Sequence, residues 1–282
     1  MNGEAHRRRA LGEFLKARRQ QIERSELGLP PFGRRSARGL RREEISYLSG
    51  VSITWYTWLE QGRQIKPSRQ VLEAIARTLR LSVTELAYIL SLAGHSGPEP
   101  AAEPPPQTTL CHVQRLLDAL AGYPAYAIAP DWAVLAWNAA YEALYPNVAT
   151  APVADRNLLW LVFTDPHLRD LMGDWDDTSR RLLARFRAEA GPRLGHPSFV
   201  RLVRRLLEAS EPFRDGWESH DIEGFVPRER LFRHPVVGDL HMEHHILAPS
   251  DHPDLHVVIY TPLLTADTPA RLRQLVDTAT PA

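Results

Sequence analysis

The chain has 282 residues, 24% of them charged, with 34 Lys+Arg balancing 34 Asp+Glu, and one cysteine. That length suits two domains of roughly 100–200 residues each. The lone Cys111 excludes an internal disulfide and a cysteine-based zinc site, and the absence of any window of about 18 apolar residues excludes a helical membrane protein. The first twenty residues, "MNGEAHRRRALGEFLKARRQ", lack the apolar core of a signal peptide, so a cytoplasmic location is expected. The neutral total hides an asymmetry. Met1–His95 carries 17 basic and 9 acidic residues, a net +8, whereas Ser96–Ala282 carries 17 and 25, a net −8. A basic first part points to a polyanionic partner.

In chain order, Leu11, Phe14 and Leu15 share one face of a first predicted helix. Ile45 and Leu48 mark a second, Tyr56 and Leu59 a third, and Leu72, Ile75, Ala76 and Leu79 a fourth. Ser68, after Pro67, can cap the fourth, and Ser82 with Glu85 forms a capping box for a fifth that carries Leu86, Ile89 and Leu90. These five short helices predict an all-α domain over residues 1–95. "GHSGPEPAAEPPPQTT" (94–109) has five prolines and no large apolar residue, so 96–109 reads as a linker.

Downstream, "PAYAIAPDWAVLAWN" (124–138) reads as two strands around Pro130-Asp131, with Asn138 capping the helix that follows. Helical patterns run through "RNLLWLVF", "WDDTSRRLLARFRAEAG" and "PSFVRLVRRLLEAS". Strands then return in "RERLFRH", "DLHMEHHILA" and "LHVVIYTPL". Strands, helices and strands again predict an α+β domain over 110–265 with an antiparallel sheet, not the alternation of a dinucleotide binder. Residues 266–282 are read as a tail.

The sharpest motif is "REEISYLSGVSITWYTWLEQGR" (42–63). A helix ends at Gly50, Val51 plugs the core, Ser52 caps, and a second helix runs to Gly62, which is helix-turn-helix geometry. If Val51, Tyr56 and Leu59 close the core, then Ser52, Ile53, Thr54, Trp55, Thr57 and Trp58 are left for other faces. Threonine hydroxyls and methyls beside indoles suit base edges in a major groove. Arg41, Arg42 and Arg63, with the "RRSARGLRR" run (34–42), supply guanidinium groups for phosphates. Packing of Trp55 or Trp58 on the first helix or the linker is the alternative.

The register over residues 8–92 resembles the XRE/Cro/repressor-type helix-turn-helix family, which implies a lambda-repressor-like five-helix fold. Its marks here are Gly50-Val51-Ser52, Leu59-Glu60, Gly62, Pro67-Ser68, Ile75-Ala76 and Leu79. Arg42 stands where many members carry a glutamine that touches the DNA backbone. Together with "VLAWNAAYEALY", "RNLLWLVFTDP", "ARFRAEAG", "LLEASEPFRDGWESHDI" and "RHPVVGDL", the chain resembles the MmyB-like bacterial regulators. That resemblance implies a PAS-like domain with a pocket for a small, apolar, fatty-acid-like effector. It also implies Asn138, Arg156, Asn157, Arg187 and His234 as the pocket's polar groups, since these fall at the family's motif positions, with a structural salt bridge or helix cap as the alternative for each.

Aromatic residues concentrate apolar area in the second domain: Trp132, Trp137, Tyr141, Trp160, Phe163, Phe186, Phe213 and Trp217. Of these, Trp137, Tyr141, Phe163, Phe213 and Trp217 are candidate lining, with core packing as the alternative. "HMEHH" (241–245) places His241, Glu243 and His245 on one side of a strand, a metal reading weighed against an ordinary polar strand face. Gly-x-Ser-x-Gly, P-loop, His-Glu-x-x-His and dinucleotide fingerprints are all missing, so no catalytic residue, metal or cofactor is expected. The expected protein is a sequence-specific DNA-binding regulator, a homodimer on a palindromic duplex, controlled by a small-molecule effector and not associated with membranes. Two other readings stay open: an enzyme using the histidines of 234–256, and a regulator whose second domain only dimerises.

Overall fold

A computed structural model describes residues 3–29, 39–95, 107–190, 196–222, 229–250, 252, 254–264 and 267–279. Most of the proline-rich linker and the arginines at 34, 35 and 38 lie outside these residues. No helix among the described residues is long and apolar enough to cross a membrane. The chain divides into two compact units. The first comprises Met1–Glu99, Ala184–Val203 and Asp215–Gly224, and the second comprises Pro100–Leu183, Arg204–Arg214 and Phe225–Ala282.

The first unit opens with α1 (Gly3–Gln21), α2 (Arg42–Ser49), α3 (Ile53–Glu60), α4 (Arg69–Thr78) and α5 (Val83–Leu92). α1 buries Leu11, Phe14 and Leu15 as its spacing predicts. It approaches α3 so closely at Gly12 that an added Cβ would stand 2.5 Å from the Glu60 carbonyl oxygen. α2 ends at Gly50, whose φ of 72° is the left-handed turn that glycine tolerates without strain. The predicted caps form. Ser52 Oγ accepts the Trp55 N–H, Ser68 Oγ the Val71 N–H, and Ser82 and Glu85 make a reciprocal capping box. Leu48, expected in the core, is instead 40% exposed. α2 is only eight residues long and turns at Gly50, so Ile45 and Val51 close the core and Leu48 falls outside it.

The second unit contains α6 (Gln107–Ala119), β1 (Ala125–Ile128), β2 (Val134–Trp137), α7 (Ala139–Leu144), α8 (Asn147–Thr150), α9 (Leu158–Thr164) and α10 (Pro166–Leu171). Three helices follow: α11 (Trp175–Ala190), α12 (Pro197–Ala209) and α13 (Glu211–Glu218). The division into units falls within each of these three. β3 (Glu229–His234), β4 (Gly238–Leu247), β5 (His256–Pro262) and α14 (Thr268–Ala279) complete the chain.

The strands form the expected antiparallel sheet, in the order β2-β1-β5-β4-β3. Strand alternation sends Ala125, Ala127 and Val257 to one face, where Val113 and Leu117 of α6 cover them. The register sends Tyr126, Val258, Tyr260, Met242, Leu240 and Phe232 to the other. Two helices differ from the sequence pattern: α6, which begins within the predicted linker at Gln107, and α14, which occupies the predicted tail. α14 buries Leu272 and Leu275 and packs against α7 and β4, and Thr268 Oγ1 accepts the His241 N–H.

Candidate nucleic-acid interface and effector site

Tyr56, Leu59 and Glu60 are the buried residues of α3. At 3.6 residues per turn, Thr54, Trp58 and Gln61 fall opposite them, with Thr57 and Trp55 on the flanks. Ser52, Ile53, Thr54, Gln61 and Arg63 are exposed, whereas Trp55, Thr57 and Trp58 are half-buried. The Arg63 guanidinium stands 5.7 Å from the Trp58 ring, and its Nε donates to Gln61 Oε1 at 2.9 Å. The outward face of α3 therefore carries hydroxyls, one amide and a partly covered indole. Gln61, which the helix-turn-helix motif does not single out, continues the 54, 57, 61 spacing, and its amide is a donor–acceptor pair suited to an adenine edge.

The arginines expected on phosphates have internal roles too. Arg42 Nε donates to Glu60 Oε2 at 2.7 Å from a side chain that is 41% exposed. Arg19 of α1 holds the other oxygen at 2.5 Å and also donates to the Leu40 carbonyl at 2.7 Å. The Glu60 side chain is only 1% exposed, so one buried carboxylate ties α1, α2 and α3 together. Burial alone would raise its pKa, but the hydrogen bonds from Arg19 and Arg42 outweigh this and lower it. Arg41 precedes α2, where its backbone N–H donates to Glu44 Oε2 at 2.8 Å, and Arg24 pairs with the same oxygen at 2.7 Å.

The residues expected around an effector fall into separate groups. Asn138 is buried at 2% exposure and fully used: its oxygen accepts from Ala125 and Tyr141 N–H groups, and its amide donates to the carbonyls of Leu117, Leu120 and Tyr123. Asn157 caps α9 and donates to the Asp131 carbonyl at 2.7 Å. Arg156 donates to the carbonyls of Ala149 and Ala151 and stands 5.3 Å from the Trp137 ring, while Trp137 Nε1 donates to Glu142. Phe163, Phe213 and Trp175 form an edge-to-face cluster in the second unit. His234 Nδ1 accepts from the N–H groups of Val236 and Val237, and burial, the largest influence, lowers its pKa.

Arg187 and Trp217 belong to the first unit. The Arg187 guanidinium lies 4.7 Å from the Trp217 ring and donates to the carbonyls of Gly216, Trp217 and Asp221. Burial brings its pKa down to about 10, so it stays charged at neutral pH.

Trp137 and Tyr141 do gather, and with aromatic residues of β1 and β5. Trp137 pairs with Tyr126 across β1 and β2, and Tyr126 lies 4.5 Å from Tyr141 and 6.2 Å from Tyr260. Tyr260 in turn meets Phe232 at 5.1 Å and His244 at 6.4 Å. The result is an aromatic wall on the sheet face turned away from α6. Tyr145, beyond Tyr141, donates to Asp165, which also accepts from Asn147 and the His167 N–H. Period-two alternation in β1 and β5 could have found Tyr126 and Tyr260, but only once the strand register was known.

A separate open cleft of about 450 Å³ between the end of α10, the start of α11 and β3 is charged, with Arg169, Asp174, Asp176, Arg180 and Arg233 among its walls. Among the described residues, no group of three or more His, Cys, Asp or Glu side chains is placed to hold a metal ion. His245 of "HMEHH" is engaged with Thr261 Oγ1 at 2.9 Å.

Residues 111–275 match the family described as the MmyB-like transcription regulator ligand binding domain, and residues 10–89 match a helix-turn-helix domain. No curated protein matches the chain.

Proposed function

The chain belongs to the MmyB-like transcription regulators, and from this premise we propose how it reads DNA and what controls it. It is a DNA-binding regulator with a ligand-binding domain. In our reading, residues 1–95 read sequence in the major groove and residues 110–265 hold a small, largely apolar, fatty-acid-like effector, in a cytoplasmic homodimer. α3 enters the groove, with Ser52, Ile53, Thr54, Thr57 and the half-covered Trp55 and Trp58 toward base edges and Arg41, Arg42 and Arg63 toward phosphates. Two such readers address half-sites about 34–36 Å apart, which multiplies a modest single-module affinity.

The observation that carries this reading is the exposure of Ser52, Ile53 and Thr54 at the start of a capped α3 whose opposite face is core. The effector's wall is Trp137, Tyr126, Tyr141 and Tyr260, rings that can cover an acyl chain. Asn138, Arg156 and Asn157 shape that region by holding its backbone. An effector changes output only by binding one arrangement of the readers better than another.

The test is selection of bound fragments from random duplexes with the full-length protein, followed by titration of the selected duplex in the presence of palmitate. Enrichment of a two-fold symmetric sequence and a change of affinity with palmitate are expected. A sequence enriched without symmetry would overturn the dimer, and an affinity indifferent to palmitate would overturn the fatty-acid class of effector.

A further inference from the structure

The reader's compact unit is not continuous in sequence. It takes in Ala184–Val203 and Asp215–Gly224, both from the stretch that matches the ligand-binding family. The contact is specific. Arg18, near the end of α1, donates to the His220 carbonyl at 3.3 Å and stands 3.8 Å from the Asp221 carboxylate. Gln21, one turn on, donates to the Ser219 carbonyl at 3.2 Å. From α11, Arg187 takes the carbonyls of Gly216, Trp217 and Asp221. The carbonyl end of α13, the negative end of its dipole and the end with no intrahelical donors, is therefore satisfied by the Arg187 guanidinium, and the turn that follows it by Arg187, Arg18 and Gln21. His220, at the turn that ends this segment, has a φ of 55°, a left-handed conformation uncommon for a side chain of its size.

Arg18 is also wired into the reader. Its Nε pairs with Glu85 at 2.6 Å, and Glu85 is the capping-box residue of α5. Its guanidinium carbon lies 5.2 Å from the Phe14 ring, which itself packs edge-to-face on Tyr88 of α5. Anything that shifts residues 216–221 thus acts on the ion pair and the ring contacts that set α1 against α5. The first half of α13 belongs to the second unit, where Phe213 is fully buried against Phe163.

We propose that the carbonyl end of α13 is the regulatory cap of the reader, with Arg18 and Gln21 as positioning residues through which the effector-binding region sets the arrangement of α1 and α5. This rests on the regulator reading above. It adds a defined element that must respond when DNA is bound, because coupling between two ligands is reciprocal.

The experiment is amide hydrogen exchange on the full-length protein with and without its selected duplex, on the wild type, Gln21→Ala and the double variant Arg18→Gln, Gln21→Ala. In the wild type the duplex should protect α3 and also change exchange of residues 211–222 by about fivefold or more, the low end of typical couplings. In the double variant α3 should still be protected while the change over 211–222 is lost. Gln21→Ala, a milder substitution at an exposed side chain, should show a reduced change and covers the case in which the double variant does not fold. Protection of α3 with unchanged exchange over 211–222 in the wild type would overturn this inference and leave the regulator reading intact. Absence of protection anywhere would overturn both.

Discussion

Replacing Glu60 with alanine removes a carboxylate whose side chain is 1% exposed and leaves Arg19, at 12% exposure, without its counter-charge. Stranding one partner of a buried ion pair costs about 3–5 kcal/mol. Arg42, on the other oxygen, is 41% exposed, and exposed pairs contribute about 0.2–1 kcal/mol. Glu60→Ala should therefore destabilise the reader several times more than Arg42→Ala, although both break a contact to the same residue. Against a total stability of about 5–15 kcal/mol, that loss is large. The two units need not unfold together, so the assay is urea-dependent hydrogen exchange read on the amides of α1 and α3. Arg42→Ala has a second signature: weaker binding to every duplex and a salt dependence shallower by about one counterion. Equal stability losses for the two variants would show that Glu60 is not the buried hub of α1, α2 and α3, and an unchanged salt slope would remove Arg42 from the phosphate contacts.

Further outcomes follow from the same contacts. Gly12→Ala should cost about 1–3 kcal/mol, since the new Cβ would stand 2.5 Å and 2.7 Å from the backbone oxygens of Glu60 and Leu59, which no rotamer change can clear; urea denaturation checks it. Asn138→Ala should destabilise the second unit by about 1–3 kcal/mol, read as a lowered melting temperature, because it takes the acceptor from the buried Ala125 N–H and one donor from each of the carbonyls of Leu117, Leu120 and Tyr123. Glu60 has a lowered folded-state pKa, so its contribution is present above the unfolded-state value of about 4.3 and is lost as pH falls through the folded-state value. The reader of the wild type should accordingly lose stability more steeply below pH ~4 than the Glu60→Gln variant, as followed by circular dichroism.

The reader was legible because its signals are local. Gly50-Val51-Ser52, Ser68 and Ser82 with Glu85 each settle a helix end within four residues of chain, and the structure has those ends. Leu48 misled because helical spacing assumes a helix long enough to keep its face, and α2 is two turns. α6 and α14 were passed over because one follows a proline run and the other closes the chain, places where local pattern argues for a linker or a tail. The surroundings of the residues expected around an effector were least legible. A buried Asn138 or Arg187 looks the same in sequence whether its partner is a ligand or a backbone carbonyl, and here the partners are carbonyls. Trp137 meets Tyr126 within the β1–β2 hairpin, but Tyr260 joins them only through the pairing of β1 with β5, which local pattern does not encode.

The central claim is that the outward face of α3 reads base edges. Selection from random duplexes with the wild-type chain and with Thr54→Ala tests it most directly. The wild type should select a defined sequence and the variant a preference relaxed at the same one or two positions in each half-site, with discrimination there falling by about 1–3 kcal/mol. An identical preference in both proteins, or none in either, would contradict it.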